Sequence, residues 1–162
     1  MTRREPATQA TLALARAGVA FTSHSYAHDP RATSYGAEAA AALGLSSAEV
    51  FKTLVVTVDG TPVVAVVPVG GSLDLKALAT VAGGRRADLA DAAVVQRLTG
   101  YVLGGVSPIG QKRALPTFVD ASARALASVY VSGGRRGFDI ALAPDELLRV
   151  TGGSYARIGR PD

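Results

Sequence analysis

A glycine- and proline-rich stretch, GGVSPIGQK at positions 104–112, lies downstream of a single lysine, Lys52, set in the apolar run VFKTLVVTV. Gly104, Gly105 and Gly110 allow the backbone of this stretch to approach a ligand closely, because glycine has no Cβ to hold it away. Amide groups freed in such a loop can stabilise an oxygen that gains negative charge as a carbonyl is attacked. Lys52 could supply charge to the same end. In a strand of period two it shares a face with Val50, Leu54, Val56 and Val58, so it either snorkels to water or reaches into a pocket. Asp139 alternates against Phe138 and Ile140, which makes it either an ordinary solvent-facing acid or a carboxylate of the same cavity. Ser107 sits in the loop without a histidine near it and without the G-x-S-x-G elbow, so the pattern argues against a serine nucleophile.

Those residues need elements to hold them. The pattern predicts helices over Thr8–Ala17, ended by Gly18, and from a cap at Thr33 or Ser34 through Leu43, with a short helical turn at Ser47–Val50. Further helices are expected over Asp74–Ala82 and Asp91–Leu98, with a last one from Pro144 to Val150. Val19–Tyr26 alternates as a strand, and Phe51–Val58 and Pro62–Val69 form a hairpin about Asp59-Gly60. The second arm is apolar on both faces and reads as a central strand. Short strands are expected at Tyr101–Leu103, Thr117–Val119, Ser128–Ser132 and Phe138–Leu142. Strands and helices intersperse without a regular repeat. The fold class is therefore α+β in one domain over residues 1–162, with a mixed, mostly antiparallel, barrel-like sheet surrounded by helices.

Composition narrows the chemistry. The chain has 162 residues and no cysteine, so disulfides, thiolate metal sites and a cysteine nucleophile are excluded. His24 and His28 share a strand face with Tyr26 but are too few for a metal site, and no metal or cofactor is expected. No apolar run approaches the roughly 18 residues of a membrane span, and the first residues lack the apolar core of a signal peptide, so a cytoplasmic protein is expected. The net charge of +4 rests partly on doublets, Arg3-Arg4, Arg85-Arg86, Lys112-Arg113 and Arg135-Arg136. Paired cations suit a phosphate backbone.

Five segments in fixed order, HSYAHDP, VFKTLVV, PVGGSLDLKALA, TGYVLGGVSPIGQKRALPT and YVSGGRRGFDI, closely resemble the YbaK/EbsC family, in particular its bacterial Cys-tRNA(Pro) deacylases. The resemblance runs from about Leu12 to Arg160. It implies a trans-editing enzyme that hydrolyses mischarged Cys-tRNA(Pro), with prolyl-tRNA synthetase as a transient partner and the substrate's own thiol as nucleophile. It further implies a catalytic set of Lys52, Gly104 and Gly105. Tyr26, Tyr35, Thr53, Ser107, Pro108, Gly110, Ser132, Gly133, Gly134 and Asp139 would contact the substrate, with Asp139 suited to its α-ammonium group. Lys112, Arg113, Arg135 and Arg136 would meet the tRNA. The alternatives are an alanine-specific deacylase of the same family and a catalytically silent tRNA- or synthetase-binding module.

Overall fold

The structure, a computed structural model, describes residues 7–32 and 34–161; Thr33 and the Arg3-Arg4 doublet lie outside the described residues. Its largest sheet is built on the hairpin of β2 (Phe51–Val58) and β3 (Thr61–Pro68). Asp59 and Gly60 turn between them with φ of +50° and +84°, the left-handed pair that a two-residue hairpin loop requires. β3 is central, because β6 (Thr117–Asp120) joins it in parallel and β9 (Ser154–Ala156) joins β6, while β5 (Ala87–Leu89) pairs with β2. Val63 to Val67 are all buried, as a strand covered on both faces must be.

Each face of this sheet has its own cover. Val56, Val58, Val63, Ala65 and Val67 pack under α3 (Leu75–Val81), where Leu78 and Ala79 are fully buried. Phe51, Val55, Val64 and Val66 face a larger core filled by Leu14 of α1 (Gln9–Ala17), Val95 and Leu98 of α4 (Ala92–Thr99) and Leu147 of α5 (Pro144–Thr151). Thr8, Asp74 and Asp91 cap α1, α3 and α4 through side-chain oxygens, and Gly18, Gly100 and Gly152 end α1, α4 and α5 in left-handed geometry.

A second, antiparallel sheet orders β1 (Thr22–Ser25), β8 (Phe138–Leu142) and β7 (Val129–Arg135). A bridge between Val50 and Tyr130 docks β7 against the start of β2. A two-stranded ladder, β4 (Gly71–Leu73) with β10 (Gly159–Pro161), closes the chain end over β3.

The α+β class and the predominance of antiparallel pairs agree with the sequence, with corrections in detail. The sheets do not close into a barrel, for the five-stranded one ends at β5 and β9. The apolar run Tyr101–Leu103 forms no strand, because Val102 and Leu103 are about half exposed and Tyr101 donates its hydroxyl to the Ile109 carbonyl. Ser47–Val50 is a turn followed by a bridge rather than a helical turn. β1 is confined to Thr22–Ser25, so Tyr26 and His28 lie beyond its end. α2 (Tyr35–Ala42) is capped by Ser34, whose hydroxyl accepts from the Ala37 amide.

Candidate active site

The bridge of β2 to β7 leaves a cleft of about 250 Å³ beside it, walled by the start of β2, the first turn of α2, the 103–106 segment and strands β7 and β8. Lys52, Thr53, Tyr26, Tyr35, Gly104, Ser132 and Asp139 all line it. Six separate stretches of sequence thus converge.

Lys52 is half-buried and donates from Nζ to the carbonyl of Gly71 at 3.0 Å. This single bond fixes the ammonium at the cleft wall, and an ammonium with three donors keeps two for a ligand. Next to it, the Thr53 hydroxyl is buried with no hydrogen-bond partner among the described residues. A buried hydroxyl without a partner is costly, and a bound polar substrate would relieve it.

Asp139 is only 5% exposed, and in the antiparallel register it stands opposite Ser132 of β7 and His24 of β1. Burial pushes its carboxyl up to about 7, and no donor among the described residues bonds it. Such a group readily gains a cationic partner, because pairing offsets the loss of water around the charge. Tyr26 donates its backbone N–H to Gly137 at 2.9 Å; its phenol is pushed up to about 12, first by burial and then by the negative charges of Asp139 and Glu38. It stays a neutral hydrogen-bond donor at any physiological pH.

The GGVSPIGQK loop contributes backbone rather than side chains. Gly104 has φ of +87°, and a Cβ there would stand 2.7 Å from Arg136 Nε and 2.9 Å from the Tyr35 ring. Gly105 is packed against the backbone of Arg135, and its N–H is taken by the Val102 carbonyl at 2.9 Å. The loop amides at the cleft without a partner among the described residues are those of Gly104 and Val106.

Ser107 is fully buried; its hydroxyl accepts from the Ile109 amide at 3.2 Å and its carbonyl accepts from the Gln111 side chain at 3.0 Å. It holds the loop in shape, away from the cleft. Pro108 is buried behind it, and Gly110 sits on the carbonyl of Gln9, where a Cβ would collide. Gly133 and Gly134 also lie off the cleft, the first accepting from the Thr8 hydroxyl at 2.6 Å and the second packed by Tyr101.

Of the cations, Arg136 reaches the rim, donating from Nε to Leu103 at 2.9 Å with its guanidinium 5.1 Å from the Tyr35 ring centroid. Arg135 is exposed beside it. Lys112 and Arg113 are exposed at the end of α4, where their N–H groups bond the Thr99 and Leu98 carbonyls, and they do not line the cleft. His28 lies 2.8 Å from Glu38, and among the described residues no three His, Asp or Glu side chains converge as a metal cage would.

Sequence reasoning missed Gly36, Leu103 and Val106 in the cleft wall. Gly36 follows the cap residue Ser34 by two positions, and its missing side chain is what lets Val69 pack against α2. That spacing was a readable signal; the exposure of Leu103 was not.

Residues 28–150 match the aminoacyl-tRNA editing domain, and the chain belongs to that family. A relative in Enterococcus faecalis, EbsC, assigned by name as a Cys-tRNA(Pro)/Cys-tRNA(Cys) deacylase, is 41% identical over 120 residues, which span 74% of this chain and 73% of EbsC. Among solved structures, the hypothetical protein APE2540 is similar with a TM-score of 0.84 at 30% identity, covering 94% of this chain and all of that one. A crystal structure described as a trans-editing enzyme for prolyl-tRNA synthetase gives a TM-score of 0.82 at 26% identity, covering 94% of this chain and 95% of the other. Family and fold define an aminoacyl-tRNA deacylase, whose substrate is the ester between an amino acid and tRNA. Among the described residues no helix is long and apolar enough to cross a membrane.

Proposed function

We propose that this chain is a cytoplasmic, single-domain trans-editing deacylase that removes cysteine from mischarged tRNA(Pro), with the substrate's thiol as the nucleophile. The observation that carries the reading is a cleft with an ammonium, a buried unpaired carboxylate and free loop amides, but no histidine, no cysteine and no activated serine. It can bind and polarise an aminoacyl ester and has no evident nucleophile of its own.

In this reading Asp139 binds the α-ammonium group, and Thr53 and Tyr26 hydrogen-bond the aminoacyl and ribose hydroxyl and ester oxygens. Lys52 and the Gly104 and Val106 amides face the negative charge that develops on the carbonyl oxygen. The thiol loses its proton, sulfur bonds to the carbonyl carbon, and the bond from that carbon to the 3′ oxygen breaks. That oxygen takes up the proton. The products are tRNA with a free hydroxyl and a cysteine thiolactone, which water opens to cysteine. Holding sulfur against its own carbonyl is the kind of positioning that lowers barriers most, by up to roughly 7–11 kcal/mol.

Cysteine needs such correction because a synthetase pocket for proline separates small side chains of similar size by only about 1–3 kcal/mol. The relative named as a Cys-tRNA(Pro) deacylase and the neighbour described as an editing enzyme for prolyl-tRNA synthetase support this substrate, and the latter supports transient pairing with that synthetase. The test is parallel incubation with Cys-, Ala-, Ser- and Pro-charged tRNA(Pro). Cys-tRNA(Pro) is expected to be cleaved fastest. Preference for Ala-tRNA(Pro) would replace the thiol by water, and inertness toward all four would make the chain a binding module.

A further inference from the structure

The doublet Arg135-Arg136 looks like a uniform phosphate clamp, yet the two side chains are held in different ways. β7 and β8 shift register between Ser132 and Arg135, and Gly134 and Gly137 take φ of +109° and +79° on either side of the arginines. The irregular hairpin end sends the two guanidinium groups to different neighbours. Arg135 is exposed, with the Phe138 ring 5.9 Å from its guanidinium. Arg136 instead spans the cleft rim, joining the Leu103 carbonyl at 2.9 Å to the Tyr35 ring at 5.1 Å.

The Arg136 contact is backed on both sides. Gly104, next to the bonded carbonyl, fits only because it has no side chain, since a Cβ would meet both Arg136 Nε and the Tyr35 ring inside 3.0 Å. On the other side, the Tyr35 ring meets the His28 imidazole at 5.7 Å, and Glu38 holds His28 at 2.8 Å while accepting the Asp29 amide at 2.7 Å. A planar guanidinium can stack on a ring and direct an N–H at a carbonyl simultaneously, whereas a lysine ammonium offers no plane to stack.

We propose that Arg136 is a positioning residue, locking the 103–106 segment against Tyr35 so that the Gly104 and Val106 amides keep their aim at the carbonyl oxygen, while Arg135 serves as the phosphate contact of the doublet. This rests on the deacylase reading of the cleft. The two arginines therefore affect different quantities. Loosening the segment by a fraction of an ångström lowers kcat, since the amides act only where the charge forms. Losing a phosphate contact weakens binding and its salt dependence, by about 0.7–0.9 in the log–log slope.

Two measurements on purified full-length Arg136→Lys, Arg136→Ala and Arg135→Ala test this. In deacylation of Cys-tRNA(Pro), both Arg136 variants are expected to lose about 10- to 100-fold in kcat with the salt slope of binding kept, and Arg135→Ala to raise KM and flatten that slope. In hydrogen exchange, residues 102–106 should exchange faster in Arg136→Lys while the β2–β3 hairpin stays protected. Unchanged exchange of 102–106 together with an effect confined to KM and the salt slope would make Arg136 a second phosphate contact and overturn the proposal. The exchange readout needs no substrate. If the wild-type protein proves inert toward every charged tRNA, the functional reading fails while the lock is still judged by exchange alone.

Discussion

Lys52 and Asp139 divide the electrostatics of the cleft between them. The ammonium is anchored on the Gly71 carbonyl, and that bond contributes little to a sheet already secured by the β2–β3 ladder. Lys52→Ala is therefore expected to cut deacylation by about 100-fold or more, the scale for loss of one preorganised charge at a developing oxyanion, with a thermal melt close to wild type. Wild-type single-turnover rate in this variant would leave Lys52 with a structural bond only.

Asp139 has the opposite balance, since its burial serves a ligand at the expense of the fold. Its carboxyl is raised from 3.8 to about 7. Between those values the folded chain holds a proton that the unfolded chain has released, so stability falls as pH rises through that window, by at most about 1.4 kcal/mol per unit, and levels off above it. Asp139→Asn should remove this component and be more stable than wild type at pH 8, while losing affinity for the α-ammonium group. Denaturant melts at pH 5 and 8 check the sign. A variant with the wild-type pH dependence would show that Asp139 is ionised throughout.

Among elements, the loop from Gly104 to Lys112 is the one whose shape the site depends on, and its Ser107, Pro108 and Ile109 side chains turn inward. Gly104→Ala must place a Cβ at positive φ against Arg136 and Tyr35. It is expected to cost about 1–3 kcal/mol of stability and to lower kcat more than it raises KM, read from a melt and a rate profile on the same preparation. Unchanged kcat would show that the segment tolerates a displaced Gly104.

The same scale shows what the sequence could and could not convey. The hairpin about Asp59-Gly60 and the helices beginning near Asp74 and Asp91 were legible because each depends on a few adjacent residues. β4 and β10 were not, since three-residue strands such as Gly71–Leu73 carry no alternation and exist through pairing with Gly159–Pro161. Tyr101–Leu103 misled for a related reason: the run is apolar, but its hydroxyl bond to Ile109 and its exposed leucine belong to a turn at the cleft mouth. For the site, Lys52, Thr53, Tyr26, Ser132 and Asp139 came from their motifs and Tyr35 from the family resemblance alone, and all line the cleft. Ser107, Pro108, Gly110, Gly133 and Gly134 share those motifs yet pack behind it, a distinction that side-chain direction decides and spacing does not.

Across the molecule, a chain without cysteine places its two histidines in local pairs, His24 with Thr22 and His28 with Glu38, outside the cleft lining. We propose accordingly that the cleft polarises the ester while the substrate supplies the nucleophile. Single-turnover deacylation of S-methylcysteinyl-tRNA(Pro) beside Cys-tRNA(Pro) tests this most directly, because methylation blocks attack by sulfur while preserving the ester, the ammonium group and the tRNA. The methylated substrate is expected to bind comparably and to be cleaved slower by several orders of magnitude, in keeping with the roughly 10⁵–10⁸ M effective molarity of a well-oriented internal nucleophile. Cleavage of both substrates at similar rates would contradict it and assign the attack to water or to a group of the protein.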